Sequence, residues 1–346
     1  MVKANLFKCG NLIVFCGASL SVSIEFNKCE EVGKVVRDLV LKKHEHISEN
    51  LASTDPETGA LILFYVTAIC HQTRKLHNDK ENLVGWDYLK NRFEKAVVET
   101  SFLSPSNLKK QLVNNVALFL QKLFSVDGKL ENTTLTRTKE RARLLIDCAA
   151  KLDGKYGGKV LTLTKESGGV LPQLYAMLSE FEAYKDPLKK KSSVLIRCLS
   201  DAKLFKMADP ENFVPVVDYH MMRVLLRMGC IKPSGAKLIK KLTCFQKVST
   251  DEQFRLSAQY AFIIISQVSG KSLFELNDVF WALGRSCCHY KTQLCVDKKC
   301  SKNPCTFAEV VDTPDHSHCL FETVCLGAVR KEYRQLKEPN VNTSFY

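Results

Sequence analysis

The sequence contains no apolar run of about 20 residues, the length that a helix needs to cross a membrane. It also contains no internal repeat and no series of segments in which apolar and polar residues alternate. The first absence argues against a membrane partner. The other two argue against a repeat protein and against an all-β fold, because both leave such periodic patterns in a sequence.

The segment Asn11–Ile24 is apolar and follows two basic residues, Lys3 and Lys8, as in a secretory signal peptide. However, Gly17 and three serines interrupt it, and no clean cleavage site follows. We therefore predict a buried strand or the start of a helix in this segment.

The composition is that of an ordinary globular protein, with 45% hydrophobic and 25% charged residues in a chain of 346. Such a chain can build a core without disulfides, so its 15 cysteines need another explanation. Seven of them lie between Cys287 and Cys325, and the others are scattered singly. This distribution indicates a reducing compartment, cytoplasmic or nuclear, and one local metal site. We expect a monomer.

The net charge of +13 favours polyanionic partners, such as nucleic acid or phosphorylated ligands. A lysine-rich surface that binds no particular anion is the alternative interpretation.

Apolar residues at helical spacing predict helices along most of the chain. The predicted helices are Leu61–Leu76, Trp86–Val98, Leu108–Phe124, Lys139–Leu152, Val170–Phe181, Ser192–Leu199, Tyr219–Met228, Phe254–Val268 and Leu273–Leu283. From these and from the motifs below we predict five segments: 1–45 of uncertain structure, 46–135 as an N-terminal helical layer, 136–286 as a catalytic helical half, 287–325 as a cysteine cluster loop and 326–346 as a tail.

One carboxylate stands at the start of a predicted helix, in the stretch PVVDYHMMRVLLRMG of residues 215–229. By position alone, Asp218 is a helix N-cap. The stretch also resembles the V-D-x-H-x-x-R-x-x-x-R segment of helix–hairpin–helix DNA glycosylases, with Asp218, His220, Arg223 and Arg227 on matching positions. The resemblance implies that Asp218 faces a sugar, stabilises its oxocarbenium-like transition state and activates water or a lysine nucleophile.

The same superfamily carries a lysine at the start of a helix upstream of its aspartate. By register this position falls on Lys190, with Lys191 as the close alternative. A lysine acts as a nucleophile only when burial lowers its pKa, and a basic surface loop is the other interpretation of this stretch. Nothing like the G-x-G hairpin that grips DNA phosphate in these enzymes precedes Lys190.

A second resemblance extends over roughly residues 60 to 285 and lies in the order of short motifs. These are Phe64–Thr67, Gly85–Leu89, Glu140–Leu145, Lys155–Gly158, Phe181–Asp186, Val217–Tyr219 and Glu275–Trp281. Their order is similar to that of the queuosine salvage family, the queuosine 5′-phosphate N-glycosylases. Both resemblances imply an all-α, helix–hairpin–helix DNA glycosylase-like fold with two lobes, here with a C-terminal metal-cluster loop.

Substrate-binding residues are expected around these motifs. His71 and Gln72 offer hydrogen bonds to a base edge, and Trp86 offers a stacking surface. A structural histidine and a core tryptophan are the alternatives. Tyr219, His220 and Arg223, which lie on the predicted helix that follows Asp218, are also expected to bind the substrate.

The predicted metal ligands are Cys288, Cys295, Cys300 and Cys305, spaced C-x6-C-x4-C-x4-C. Four thiolates this close can surround one metal or cluster. The first interval and the preceding L-G-x-x-x-C resemble the C-x6-C-x2-C-x5-C cluster of endonuclease III-type glycosylases, which implies a structural [4Fe–4S] cluster in preference to zinc. Cys287, His289 and Cys319 are alternative ligands, and a metal-free loop of reduced thiols remains an alternative.

The sequence thus predicts a hydrolytic N-glycosylase that acts on a modified purine-like or 7-deazaguanine-like nucleotide or nucleoside. Asp218 would stabilise the sugar cation and orient water, and Lys190 or Lys191 would assist or hold a phosphate. A base-excision DNA glycosylase of the endonuclease III type and a non-catalytic module that binds DNA or RNA are the alternative functions.

Overall fold

The computed structural model describes residues 6–9, 12–15, 21–42, 51, 53–302, 304–313 and 317–346, with the backbone alone in the first two ranges. Helix accounts for 58% of the structure and strand for little of it. The prediction of a mostly helical protein is therefore confirmed. In the part of the chain that the structure describes, no helix is both long and apolar enough to cross a membrane.

The helices, in chain order, are α1 (Phe26–Arg37), α2 (Pro56–Ala68), α3 (Trp86–Glu99), α4 (Pro105–Leu108), α5 (Val113–Leu123), α6 (Thr138–Tyr156), α7 (Val160–Glu166), α8 (Leu171–Leu178), α9 (Lys190–Asp201), α10 (Tyr219–Met228), α11 (Ala236–Thr243), α12 (Glu252–Ser269), α13 (Leu273–Arg285), α14 (Leu294–Asp297), α15 (Thr306–Val310), α16 (Leu326–Val329) and α17 (Lys331–Arg334). The strands are β1 (Leu6–Cys9), β2 (Leu12–Phe15), β3 (Val22–Glu25), β4 (His77–Asn78), β5 (Leu83–Val84) and β6 (Ile231–Pro233).

Local sequence signals explain where the long helices begin and end. The Asp55 carboxylate accepts a hydrogen bond from Thr58 N at 3.0 Å, and Pro56 follows it at the first helical position of α2. Gly157 adopts a left-handed conformation, with φ of 59°, and ends α6. The predicted helix Leu108–Phe124 is instead divided between α4 and α5.

The chain forms two compact units. We call them the Asp218 unit, residues 1–44 and 215–342, and the Lys191 unit, residues 45–214 and 343–346. The five segments predicted from the motifs stay predictions.

In the Asp218 unit, helices pack on a small antiparallel sheet in the order β1-β2-β3-β6. Ile24 is central to its register, because it pairs with Ile13 of β2 and with Ile231 of β6. Helix α12 packs against both α1 and β3, and α10 packs against α12 and α13. This sheet was not predicted, because strands of three or four residues are too short to show an alternating pattern. Strand β2 does lie inside the segment for which a strand or a helix start was predicted.

In the Lys191 unit, α2 forms the centre. Every residue from Gly59 to Ala68 is buried, as expected for a helix that is apolar on all sides. Helices α3, α6, α7 and α9 all pack against it. The Phe64 ring stacks on Tyr184 at 5.2 Å and meets Phe181 edge-on at 5.3 Å. The Tyr184 hydroxyl donates to Phe64 O at 2.6 Å, so this buried polar group has a partner.

The close crossing of α10 and α13 predicts the cost of a single methyl group. A Cβ at position 284 would lie 2.9 Å from both the Cβ and the carbonyl oxygen of His220, so Gly284→Ala forces the two helices apart. We expect a loss of about 1–3 kcal/mol in the free energy of unfolding, measured by chemical denaturation. Gly154→Ala is the matched control, because no atom lies within 4 Å of its added Cβ and alanine favours helix. If the two substitutions changed the free energy of unfolding equally, the close contact between α10 and α13 at Gly284 would be contradicted.

Candidate functional site

Asp218 is the N-cap of α10 and is only 9% exposed. Its Oδ1 accepts hydrogen bonds from His220 N at 2.8 Å and from Met221 N at 3.2 Å. The backbone of Asp218 is extended, with φ of −118° and ψ of −175°, which is the usual geometry of a capping residue. The capping interpretation is therefore confirmed. A catalytic role for Asp218 stays a prediction, and the cap holds its carboxylate in one position.

Arg223 is completely buried and uses each of its three nitrogens. Nη1 pairs with Glu338 Oε2 at 2.8 Å, Nη2 donates to Gly284 O at 2.6 Å and Nε donates to Cys288 O at 3.1 Å. The Glu338 carboxylate is itself buried, with 1% of its side chain exposed. The predicted substrate-binding role of Arg223 is untested, and the contacts assign this side chain a structural role.

Arg227, one turn further along α10, also binds the cysteine segment. It donates to the carbonyl oxygens of Leu336 at 3.0 Å, Cys288 at 3.3 Å and His289 at 2.8 Å. The two motif arginines thus attach α10 to the residues that follow α13 and to the 336–338 tail. Sequence reasoning missed Glu338, and a single acid in a polar tail offers no signal that could have revealed it.

Tyr219 and His220, the first two residues of α10, are both half-buried. Their rings lie 4.2 Å apart, and His220 Nδ1 lies 3.0 Å from Arg223 Nη2. Arg223 therefore orients the imidazole. The assignment of Tyr219 and His220 to substrate binding stays a prediction.

Both candidate lysines belong to the Lys191 unit and are the first two residues of α9. Lys191 is fully buried, and Lys190 is 8% exposed, so neither lies in a basic surface loop. Lys191 Nζ donates to Ala68 O and lies 3.4 Å from His71 Nδ1, and Lys190 Nζ lies 3.5 Å from Cys70 Sγ.

The start of α9 is held by Asp186, which is fully buried. Its carboxylate accepts from Leu188 N at 3.1 Å and from Lys190 N at 2.8 Å. These bonds satisfy amide groups that a helix N-terminus leaves without intrahelical partners. The Asp186 carboxylate thus fixes the start of α9, and with it the positions of Lys190 and Lys191.

The loop after α2 meets these lysines through His71, which is completely buried. Its Nε2 lies 3.1 Å from Glu140 Oε1. Arg141, also completely buried, donates to His71 O at 2.5 Å, to Thr136 O at 2.9 Å and to Ile69 O. Glu140 and Arg141 were not predicted as site residues, although both stand in one of the motifs that carry the queuosine-family resemblance.

Burial controls the charge of this cluster. It lowers the pKa of Lys191 to about 8 and that of His71 to about 2. The hydrogen bond with His71 lowers the pKa of Glu140 to about 2. At neutral pH the imidazole is therefore neutral beside an ionised carboxylate, and part of the Lys191 population can lose its proton near pH 8.

The other two predicted binding residues lie at the start of local elements. Gln72 has a left-handed backbone, with φ of 52°, and its backbone N–H donates to Tyr346 O at 3.1 Å. Trp86 is the first residue of α3 and is half-buried. The side-chain roles predicted for both residues remain predictions.

The cysteine segment brings three thiols together, which we call the three-thiol group: Cys287, Cys300 and Cys305. Their sulfurs lie within 4.8 Å of one another. Cys305 Sγ is 3.7 Å from Cys287 Sγ and 3.4 Å from Cys300 Sγ. A C-terminal cysteine cluster that can hold a metal is therefore present. It contains two of the four predicted ligands, Cys300 and Cys305, together with Cys287, one of the alternatives.

Ser286 positions this group and is completely buried. Its hydroxyl accepts from Thr306 N at 3.1 Å, next to Cys305, and its carbonyl accepts from Ser301 Oγ at 2.8 Å, next to Cys300. Hydrogen bonds with Cys300 and Cys305, together with burial, raise the pKa of Cys287. A metal ion offsets such a rise, because it binds the thiolate and displaces the proton.

Comparison with known proteins returned no match, either to a protein-family model or to a curated protein sequence.

The buried pair of Arg223 and Glu338 predicts a large loss of stability when one charge is removed. Glu338→Gln leaves a buried guanidinium without its counter-charge, so we expect the free energy of unfolding to fall by about 3 kcal/mol or more. Glu31→Gln in the same unit is the control, because it removes the partner of Lys28 and the Glu31 side chain is 47% exposed. It should lower the free energy of unfolding by at most about 1 kcal/mol. Urea denaturation of both variants tests the difference, and similar losses would contradict it.

The lowered pKa of Lys191 predicts a pH-dependent stability. Between the folded value of about 8 and the ordinary value of 10.5, the unfolded chain holds the proton and the folded chain does not. The free energy of unfolding therefore receives a contribution that rises with pH across this window. Lys191→Met should remove that contribution, and Lys155→Met, at a half-exposed lysine, should keep it. Denaturation curves from pH 7.5 to 10.5 test this, and a wild-type slope in Lys191→Met would refute it.

Proposed function

We propose that the chain is an N-glycosylase that hydrolyses the base–sugar bond of a modified purine-like or 7-deazaguanine-like nucleotide. The observation that carries the proposal is the Asp218 carboxylate, which is buried and accepts hydrogen bonds from two backbone amides at the start of α10. A fixed carboxylate of this kind can stabilise positive charge without reorganising during the reaction.

The reaction needs such a group because the sugar becomes cationic as the bond to the base breaks. In the proposed mechanism the carboxylate of Asp218 offsets the charge that develops at the anomeric carbon. A water molecule oriented by the same carboxylate forms the new C–O bond while the C–N bond breaks. The water gives up one proton, and the departing base takes one up.

Lys191 is the second functional group of the proposal. Its buried amine has a lowered pKa, which is the condition for a lysine to act as a nucleophile. In its protonated form it can instead hold the phosphate of a nucleoside monophosphate as a point charge. Lys190 is the close alternative for either role. The helix–hairpin–helix glycosylase fold, with its two lobes, belongs to the same proposal and is supported by the helical class and by the motifs.

The cysteine segment is proposed to hold a structural metal. Four thiolates at tetrahedral corners about 2.3 Å from a zinc ion are about 3.8 Å apart. The 3.4 Å and 3.7 Å separations in the three-thiol group are near that edge length, which favours a single zinc ion there over a [4Fe–4S] cluster. The metal would crosslink this lysine-rich stretch and add to the stability that its buried residues Leu294, Phe307 and Phe321 provide.

One observation favours a second function, a base-excision DNA glycosylase of the endonuclease III type. Three exposed lysines, Lys291, Lys298 and Lys299, belong to the same segment as the thiols and offer contacts to phosphate. This function requires binding to duplex DNA that weakens steeply with salt, because each phosphate contact releases counterions. A nucleotide hydrolase requires no such binding.

Asp218→Asn separates catalysis from folding, because asparagine caps a helix about as well as aspartate does. We expect release of free base from 7-deazaguanine-type nucleoside 5′-monophosphates, measured by chromatography, to fall by roughly 100-fold or more. Asp55→Asn makes the same change at the cap of α2 and should keep wild-type turnover.

The wild-type protein and both variants are also tested on duplex oligonucleotides that carry damaged bases. Cleavage of a duplex alone, abolished by Asp218→Asn, would replace the nucleotide proposal with the DNA glycosylase. Unchanged turnover in Asp218→Asn would remove Asp218 from the reaction. Wild-type protein that turns over neither substrate set would leave a non-catalytic binding module.

A further inference from the structure

Four thiols of the cysteine segment lie outside the three-thiol group. We call Cys288, Cys295, Cys319 and Cys325 the four-thiol group. All four are half-buried and none is in a disulfide. Their contacts, all within the Asp218 unit, bring them to one place in the fold.

Cys287 and Cys288 are adjacent but belong to different groups. Cys287 Sγ lies 3.7 Å from Cys305 Sγ, in the three-thiol group. Cys288 instead forms a β-bridge with Gln293, and its Sγ lies 3.4 Å from Arg227 Nη1. The same bridge turns the chain back, so that α14, which carries Cys295, begins directly beside Cys288.

Arg227 connects Cys288 to the last thiol of the group. Its Nη1 lies 3.4 Å from Cys288 Sγ, and its carbonyl oxygen accepts from Cys325 Sγ at 3.6 Å. One residue of α10 thus contacts both sulfurs, although they are 37 positions apart in the sequence (325 − 288).

A tight turn brings Cys319 to the same place. Glu322 N donates to Cys319 O at 2.9 Å, and Cys325 N donates to Phe321 O at 2.8 Å. Phe321 is completely buried and fixes the turn in the core. Glu322 also pairs with Lys298 at 3.9 Å, which joins this turn to the end of α14.

We propose that Cys288, Cys295, Cys319 and Cys325 form a second metal centre, with four thiolate ligands, separate from the three-thiol group. When the metal binds, each thiol loses its proton to solvent and the resulting thiolate sulfur forms a bond to the metal. The proposal does not depend on the glycosylase activity. It explains how α14 and α16, helices of four residues that are far too short to be stable alone, hold their positions.

The spacing of the sulfurs indicates the kind of centre. Within the described ranges, the three-thiol group is the set whose sulfurs lie within 4.8 Å of one another. No three sulfurs of the four-thiol group meet that limit among the described residues, and a [4Fe–4S] cluster holds its four cysteine sulfurs further apart than a single ion does. Zinc is the other metal that four thiolates select, and the experiment separates the two.

The test measures iron, zinc and acid-labile sulfide in the full-length protein, purified without oxygen, together with its visible absorbance. We expect about four iron atoms and one zinc ion per chain. Cys319→Ser and Cys325→Ser should lose the iron and the absorbance and keep the zinc. Cys300→Ser and Cys305→Ser should do the reverse. Cys244→Ser, at an exposed cysteine outside both groups, should change neither.

Two zinc ions in the wild type, reduced to one by either pair of variants, would support the second centre and identify its metal as zinc. Loss of all metal in every one of the four variants, despite retained helical circular dichroism, would overturn the division into two centres. Unchanged metal in Cys319→Ser and Cys325→Ser would also overturn it.

Native alkylation provides a readout that needs no variant. In the wild type, Cys319 and Cys325 should resist the reagent until a chelator or an oxidant removes the metal, whereas Cys244 should react at once. Immediate labelling of Cys319 and Cys325 in the metal-loaded protein would refute the proposal.

Discussion

The Asp218 unit depends on the placement of two cationic side chains in its interior. Arg223 and Arg227 bring guanidinium groups inside the protein, where an unpaired charge is very unfavourable. Glu338 neutralises one of them, and the carbonyls of Gly284, Cys288, His289 and Leu336 accept the remaining hydrogen bonds described above. Because the arginines and Asp218 share one helix, the candidate catalytic carboxylate and the cysteine segment are positioned by the same element.

The Lys191 unit meets the same constraint with a different set of acceptors. Lys191 and Arg141 are buried cations, and they donate to the carbonyls of Ala68, Ile69 and His71 at the end of α2. A helix C-terminus offers unpaired carbonyls and a partial negative charge, so it suits buried cations. His71 stays neutral there, which limits the positive charge in the cluster. Burial nevertheless lowers the pKa of Lys191 to about 8, although the carbonyl acceptors favour its protonated form.

The cysteine segment combines two means of support, because it buries Leu294, Phe307 and Phe321 and also brings thiols together. Its helices α14 and α15 have four and five residues, and the contact of Cys325 Sγ with Arg227 O connects the segment to α10. Thiolate–metal bonds can add to the stability that these buried apolar side chains supply. The close approach of α10 and α13 at Gly284 then determines where this segment leaves the helical core.

The sequence by itself determined the elements whose signals are local. Helix α10 has the predicted bounds, Tyr219–Met228, because a capping aspartate and a terminal glycine stand at its two ends. The fold class and a metal-competent cysteine segment were also predictable. Only the tertiary structure decided the short strands, the choice of Cys287 over Cys288 in the three-thiol group, and the pairing of Arg223 with Glu338 across 115 positions. These features arise from contacts between distant segments, and no local pattern records which distant segments will meet.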